Sequence, residues 1–409
     1  MVAQNIDINA VRQQFPILNQ TVNGKPLVYF DNAATTQKPR QVLDSLLHYY
    51  DDYNANIHRG IHTLAEKATG AFEETRSAFR RFLNASGNEE IIFTYGTTDG
   101  INLVAQTFGR KFIGPGDEII ISAMEHHSNI VPWQILCQAN GCFLKVIPVS
   151  DRGELDMEAY ESLLSERTRL VSVVHASNAL GTVNPVGQMI RMAHQVGAKV
   201  LVDGAQAVSH LSPDMQELDA DFYVLSLHKM YGPTGVGILY GKKELLNSMP
   251  PYRGGGEMIR EVTFAKTTYN DLPYKFEAGT PNIADVVAAK SAVEYIESLG
   301  RHNIATYEKS LLDYATDALG SIGGLRIVGQ AGEKVSVVSF VIPGIHHEDL
   351  GVILDQQGIA IRTGHHCAQP LMQRFGITGT SRASFAVYNT VGEIDKLKTG
   401  IERAVTMLK

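Results

Sequence analysis

Ser226-Leu227-His228-Lys229-Met230-Tyr231-Gly232-Pro233 follows directly on an apolar run, Asp221-Phe222-Tyr223-Val224-Leu225, and precedes a second, Gly237-Ile238-Leu239-Tyr240. Both runs read as buried strands, and Gly232-Pro233 with Gly235 breaks the chain between them. The stretch therefore sets a lysine at the mouth of a buried strand. A partly desolvated lysine has a lowered pKa and can form a Schiff base with an aldehyde. A surface lysine at a strand end has the same local sequence, and this stretch alone fits both readings.

One strand–connection–strand unit upstream lies Val200-Leu201-Val202-Asp203-Gly204-Ala205-Gln206-Ala207, an apolar strand ending in Asp and a small-residue turn. Asp203 on its own fits a helix N-cap. Together with Lys229 it fits pyridoxal phosphate, whose aldehyde needs an amine. The pyridine nitrogen of that cofactor needs a carboxylate to keep it protonated, so that the ring can take up electrons. Adjacent strand ends bring the two groups within reach of one ring, which favours the cofactor reading.

Apolar strands are predicted at 91–93, 118–122, 143–147, 170–174, 200–203, 222–225 and 237–240, with helices between them. That pattern is an α/β domain with a mostly parallel, seven-stranded sheet and helices on both faces. Ligands of such sheets sit at the carboxyl ends of the strands, where the polar residues of this chain collect. Ahead of the sheet, 1–25 reads as an arm with a short helix near Ile8–Phe15, and Leu27–Ala34 as a strand ending in a polar turn. Beyond 285 come two helices and a smaller α+β unit with strands at 325–328, 335–341 and 382–387 and a last helix at 391–408. The expected division is an arm (1–25) that can pack on the small domain, a large cofactor-binding domain (26–285) and a small C-terminal domain (286–409) that carries Cys367.

Composition narrows the class. Hydrophobic residues make up 44% and charged residues 19% of the 409 positions, which is ordinary for a globular protein with a sizeable core. A net charge of −7 without any Lys/Arg stripe gives no footprint for nucleic acid or an anionic membrane. The first residues lack the basic and apolar segments of a signal peptide, and no run is long enough to span a bilayer. Three cysteines, Cys137, Cys142 and Cys367, argue against a disulfide framework and for a reducing cytoplasm.

Four further groups carry candidate chemistry. Gly96-Thr97-Thr98 opens a helix predicted from Ile101 and offers N–H groups and hydroxyls to a phosphate, although a plain helix cap has the same sequence. Ser226 and His228 can add donors. His126 can stack on a planar ring; His126-His127 as metal ligands lack a matching Cys/His set, so no metal site is expected. Arg382 suits a substrate carboxylate, since a guanidinium offers a two-pronged donor. Cys367 lies in a Gly-His-His-Cys turn after Arg362, where neighbouring cations favour the nucleophilic thiolate.

Taken together, the chain resembles the cysteine desulfurases of the class V aminotransferase group, and within them the Suf type (group II). The resemblance rests on Asp31-Asn32-Ala33-Ala34, Asn56-Ile57-His58-Arg59-Gly60, Gly96-Thr97-Thr98, Glu125-His126-His127-Ser128-Asn129, Asp203-Gly204-Ala205-Gln206, Ser226-Leu227-His228-Lys229, Arg253-Gly254-Gly255-Gly256-Glu257, Ala278-Gly279-Thr280-Pro281, Arg362-Thr363-Gly364-His365-His366-Cys367 and Arg382-Ala383-Ser384. Asp99 departs from it, standing where that family is expected to have Glu. The resemblance implies the fold-type-I architecture of pyridoxal-phosphate enzymes, a homodimer, and the cofactor joined to Lys229. It also implies roles: Asp203 at the pyridine nitrogen, Gln206 at the phenolic oxygen, and His126 on the ring. Thr97, Thr98, Ser226 and His228 would hold the phosphate, with Thr280 reaching over from the other subunit. Asn178, Arg362 and Arg382 would hold the substrate, and Cys367 would take its sulfur. The implied substrates are L-cysteine and L-selenocysteine, and the implied partner is a sulfur acceptor of the SufE or SufU type that serves iron–sulfur cluster assembly.

Overall fold

In a computed structural model, which describes residues 6–408, seven strands form one sheet. Their order is Ile91–Thr94, Gly237–Gly241, Phe222–Ser226, Lys199–Asp203, Thr168–Val174, Glu118–Ser122 and Phe143–Ile147. Gly237–Gly241 runs antiparallel to both of its neighbours and the other pairings are parallel. The fold is thus the α/β architecture expected. Alternation along each strand supplies its two faces. Val200, Val202, Tyr223 and Leu225 point into one core, and Leu201, Phe222 and Val224 into the other. The helices Thr63–Phe82 and Ile283–Leu299 cover the first face, and Thr97–Val104 and Val131–Asn140 cover the second.

A four-stranded antiparallel sheet in the order Arg326–Val328, Val337–Val341, Thr380–Ser384 and Arg362–Gly364 forms the C-terminal unit. Helices Arg301–Gly320, His347–Asp355 and Val391–Leu408 pack on it around Leu311, Phe340, Leu354, Phe385 and Leu397.

The segment expected as a strand over 27–34 behaves differently. Only Val28–Tyr29 is strand, and it pairs in parallel with Ile359–Ala360. Val28 and Phe30 are buried in the core of the C-terminal unit. After Tyr29 the chain turns, because Asn32 donates to Ser384 O at 2.6 Å and Asp31 bridges to the same residue. The strand expected at 382–387 likewise ends at Ser384, where Phe385 packs edge-on against Phe30. Of the expected N-terminal arm, residues 1–5 lie outside the described residues. Its helix, Ile8–Gln13, is capped by Asp7. Arg12 reaches Glu393 at 2.8 Å and Tyr388 O at 2.5 Å, while Phe15 packs between Tyr231, Tyr295 and Tyr388. The arm therefore touches both units.

The helix expected from Ile101 starts four residues earlier, at Thr97. Gly96 makes this possible, since its φ of +124° is open only to glycine. A Cβ added to Gly237, on the adjacent strand, would lie 2.5 Å from Gly96 Cα and 2.5 Å from Leu225 O. Gly237→Ala is therefore expected to lower stability by about 1–3 kcal/mol, measured as a lower denaturant midpoint with an unchanged slope.

Candidate active site

Most of the polar residues singled out from the sequence meet in one cleft. Its lining includes Thr97, Thr98, His126, Asn178, Asp203, Gln206, Ser226, His228, Lys229, Arg362, Cys367 and Arg382. Thr280 is the exception: it is exposed and outside this lining. The elements explain the meeting. Asp203 and Ser226 are the last residues of neighbouring parallel strands, and Lys229 ends the short turn that follows Ser226. Arg362 and Arg382 come from the C-terminal sheet, directly opposite each other on paired strands.

Lys229 makes no hydrogen bond or ion pair among the described residues. Burial is the main force on it, and it pushes the amine down to about 8. The Asp203 and Cys367 charges oppose that shift, and the Arg382 and Arg362 charges add to it. Asp203 is 2% exposed and accepts one hydrogen bond, from Ala205 N–H at 2.9 Å. Burial pushes its carboxyl up, against the pull of that N–H and of Lys229. A cationic partner in the cleft would relieve this cost.

His126 sits where the turn before Val131–Asn140 begins. Ser128 N–H donates to its Nδ1 at 3.1 Å, which leaves Nε2 as the nitrogen that carries the proton. Burial and the Lys229 charge push it down to about 3, so the ring is a neutral plane. Beneath it Glu125 is fully buried. It accepts from Val174 N–H at 3.0 Å and Asn129 Nδ2 at 2.6 Å, and burial pushes it up to about 8. At the first turn of the Thr97–Val104 helix, Ser226 Oγ accepts from Thr97 N–H at 2.8 Å and lies 2.8 Å from Thr97 Oγ1. Backbone N–H groups, hydroxyls and the helix dipole there form an anion cradle.

The cationic side is set by Asp31. Its carboxylate lies 3.0 Å from Arg382 Nη2 and 3.5 Å from Arg362 Nη1. Arg382 is 1% exposed and also donates to Asn178 O at 2.8 Å. Three buried polar atoms in this cleft have no partner among the described residues: Asn178 Oδ1, His366 Nδ1 and Arg382 Nε. Buried polar groups are ordinarily satisfied, so these three mark places for a polar ligand.

Cys367 is half-buried at the small-unit wall, in a turn where His366 and Cys367 have φ of +51° and +54°. Left-handed backbone costs a residue with a Cβ about 1–2 kcal/mol. Hydrogen bonds hold the turn there: Asn178 Nδ2 to His366 O at 2.6 Å, His127 N–H to Cys367 O at 2.7 Å, and Cys367 N–H to His365 Nδ1 at 3.1 Å. Sequence reasoning gives Asp31 no role beyond its motif, weighs His127 and His366 only as metal ligands, and does not point to Lys38. Cys137 and Cys142 lie elsewhere, with their sulfurs 2.9 Å apart. No cluster of three or more His, Cys, Asp or Glu side chains able to hold a metal occurs among the described residues.

An amine, a buried carboxylate, an anion cradle and a stacking imidazole fit pyridoxal phosphate, and a guanidinium pair and a thiol face them across the cleft. The family model described as aminotransferase class-V matches residues 28–397. A cysteine desulfurase of Dickeya dadantii is 51% identical over 99% of this chain and 98% of its own length. Another from Synechococcus elongatus is 52% identical over 99% of this chain. The chain spans only 64% of that protein and 58% of a probable cysteine desulfurase of Mycolicibacterium paratuberculosis. Among solved structures, the cysteine desulfurase CsdA of Escherichia coli superposes with a TM-score of 0.92 at 39% identity, covering 99% of this chain and all of that one. The apo cysteine desulfurase of Thermococcus onnurineus gives 0.94 at 37% identity, with both chains covered in full. The chain belongs to the aminotransferase class-V family, alongside cysteine desulfurases that it matches from end to end.

Proposed function

We propose that the protein is a pyridoxal-phosphate-dependent cysteine desulfurase that converts L-cysteine to L-alanine and takes the sulfur onto Cys367. The observation that carries this reading is that Lys229, from the turn after a strand of the large sheet, and Cys367, from a turn of the C-terminal unit, line one cleft. A transaminase needs the first group and not the second.

When bound, pyridoxal phosphate supplies an aldehyde for amines and a ring that takes up the electrons left by a departing α-proton. Lys229 would hold it, with Asp203 keeping the ring nitrogen protonated and Gln206 at the phenolic oxygen. Thr97, Thr98, Ser226 and His228 would bind its phosphate and His126 would lie on its ring. Arg382 and Arg362 receive the substrate carboxylate in place of Asp31, with Asn178 beside them. Lys229, pushed down to about 8, is roughly a tenth neutral at pH 7, far more than a surface lysine, and its amine serves as the base for the α-proton. Cys367 then attacks the substrate sulfur. The Cβ–S bond breaks and an S–S bond forms; the electron pair and a proton go to carbon, which leaves as L-alanine. The persulfide passes to an acceptor thiol by exchange.

The turn that carries Cys367 is short and held by hydrogen bonds, which supports a protein acceptor that brings its own thiol, of the SufE or SufU type, for iron–sulfur cluster assembly. L-Selenocysteine fits the same geometry. Thr280, exposed and remote from its own cleft, supports a homodimer in which it completes the neighbouring subunit's phosphate site. Residues 26–285 and 286–409 then act as the large and small domains of each subunit. The free state of all three cysteines supports a reducing, cytoplasmic setting.

Three outcomes test the reading. Cys367→Ala should abolish alanine and persulfide formation while the cofactor's visible absorbance stays; turnover that survives the change would make the protein a different class-V enzyme. Arg382→Lys keeps the charge and loses the two-pronged donor, and should raise KM for L-cysteine about tenfold to a hundredfold in steady-state assays. In apo-protein, trapping of pyridoxal phosphate on Lys229 by borohydride should rise with pH around a midpoint of about 8. The sign follows from the lowered pKa, because the neutral amine reacts and it appears at lower pH than on a surface lysine.

A further inference from the structure

The segment after Ala34 runs beneath the Lys229 turn and makes contacts that none of the roles above uses. The His228 carbonyl belongs to the peptide group that leads into Lys229. Four donors converge on it: Thr36 N–H at 3.0 Å, Thr35 Oγ1 at 3.0 Å, Thr36 Oγ1 at 3.2 Å and Lys38 Nζ at 3.0 Å. A carbonyl has two lone pairs, so this is more than its hydrogen-bonding need. Thr36 Oγ1 also accepts from Tyr231 N–H at 2.8 Å, which ties both ends of the 228–231 turn to one side chain.

Lys38 is the unusual member. It is half-buried and has no carboxylate partner among the described residues. Its other N–H groups go to Thr36 O at 2.5 Å and Thr35 Oγ1 at 3.4 Å. Burial alone pushes it down to about 7. A cation is costly to hold in such a place, and the carbonyl it faces is one residue from the reactive amine. The same segment begins at Asp31, the carboxylate between Arg382 and Arg362. One short run of chain thus grips the turn on one wall of the cleft and the guanidinium pair on the other.

We propose that Lys38, with Thr35 and Thr36, is a positioning device that clamps the His228–Lys229 peptide plane and so fixes where the Lys229 amine stands. The proposal rests on the reading of Lys229 as the amine that binds pyridoxal phosphate. Lys38→Met keeps the length and the apolar stem and removes the charge and the donors. In the apo-protein of this variant, borohydride trapping of pyridoxal phosphate on the Lys229 peptide should slow about tenfold. In the holoenzyme kcat should fall by a similar factor while KM for L-cysteine holds, and Lys38→Arg should restore most of both. Thr35→Val removes one donor to the His228 carbonyl and the long contact to Lys38, and should slow trapping about threefold if Lys38→Met fails to fold. Wild-type trapping rates in Lys38→Met or in Thr35→Val, or equal losses in Lys38→Met and Lys38→Arg, would overturn the clamp and leave the reading of Lys229 intact. A wild-type protein that traps no pyridoxal phosphate on Lys229 would overturn both.

Discussion

Two guanidinium groups stand opposite each other on paired strands, with a buried amine across the cleft, and one carboxylate answers them. Like charges at directly opposite positions of an antiparallel pair repel, and Arg382 is almost wholly removed from water. Asp31 makes the arrangement tenable, at 3.0 Å from one and 3.5 Å from the other. Its position dictates much of the architecture around it. Asp31 bridges to Ser384, and Val28–Tyr29 pairs with Ile359–Ala360 rather than with the seven-stranded sheet. The cleft is therefore cationic before any ligand arrives. That suits a ligand with a carboxylate and a cofactor with a phosphate.

Burial, with the nearby cations adding to it, sets the protonation states. His126, His228 and His366 are all pushed well below the ordinary imidazole range, to about 3, 4 and 2, by burial first and by nearby cations second. Lys229 loses part of its charge for the same reasons. Neutral imidazoles offer a flat ring or one N–H without adding charge, and a partly neutral lysine can act as nucleophile and base. Asp203, in the same lining, is held out of water and pushed up by burial, so a cationic group beside it would be stabilised.

How far the sequence shows this depends on whether the partner of a residue is a side chain or a backbone group. Lys229, Asp203 and Ser226 were legible because they end apolar strands, and strand ends of a parallel sheet form one surface. Cys367, Arg362 and Arg382 were legible through their turn and their chemistry. The strand after Leu27 was misplaced because an apolar run shows that it is buried but not in which core, and here the partner lies more than 300 residues later in the chain. The helix after Gly96 was started late because Thr97-Thr98-Asp99 reads as polar turn, while the left-handed glycine and the Ser226 hydroxyl cap it in three dimensions. Lys38 was invisible for a related reason. Its partners are carbonyls, at Thr36 and at His228, and a carbonyl leaves no mark in the sequence.

The Cys367 turn shows why the thiol is placed on a rigid element. Two successive left-handed residues cost on the order of 2–4 kcal/mol together, an expense that a long flexible loop would avoid. The hydrogen bonds from Asn178, His127 and within the turn each return roughly 1 kcal/mol, enough to hold the conformation and little more. Asn178 and His127 both belong to the large sheet's loops, so the turn keeps its shape only while the two units stay in register. On the proposed reading, a thiol held this way would meet its target sulfur without a search. The sulfur it took would then pass only to a thiol that enters the cleft. Geometry that favours the first transfer would thereby restrict the second, and the choice of acceptor would become a matter of shape at the cleft mouth.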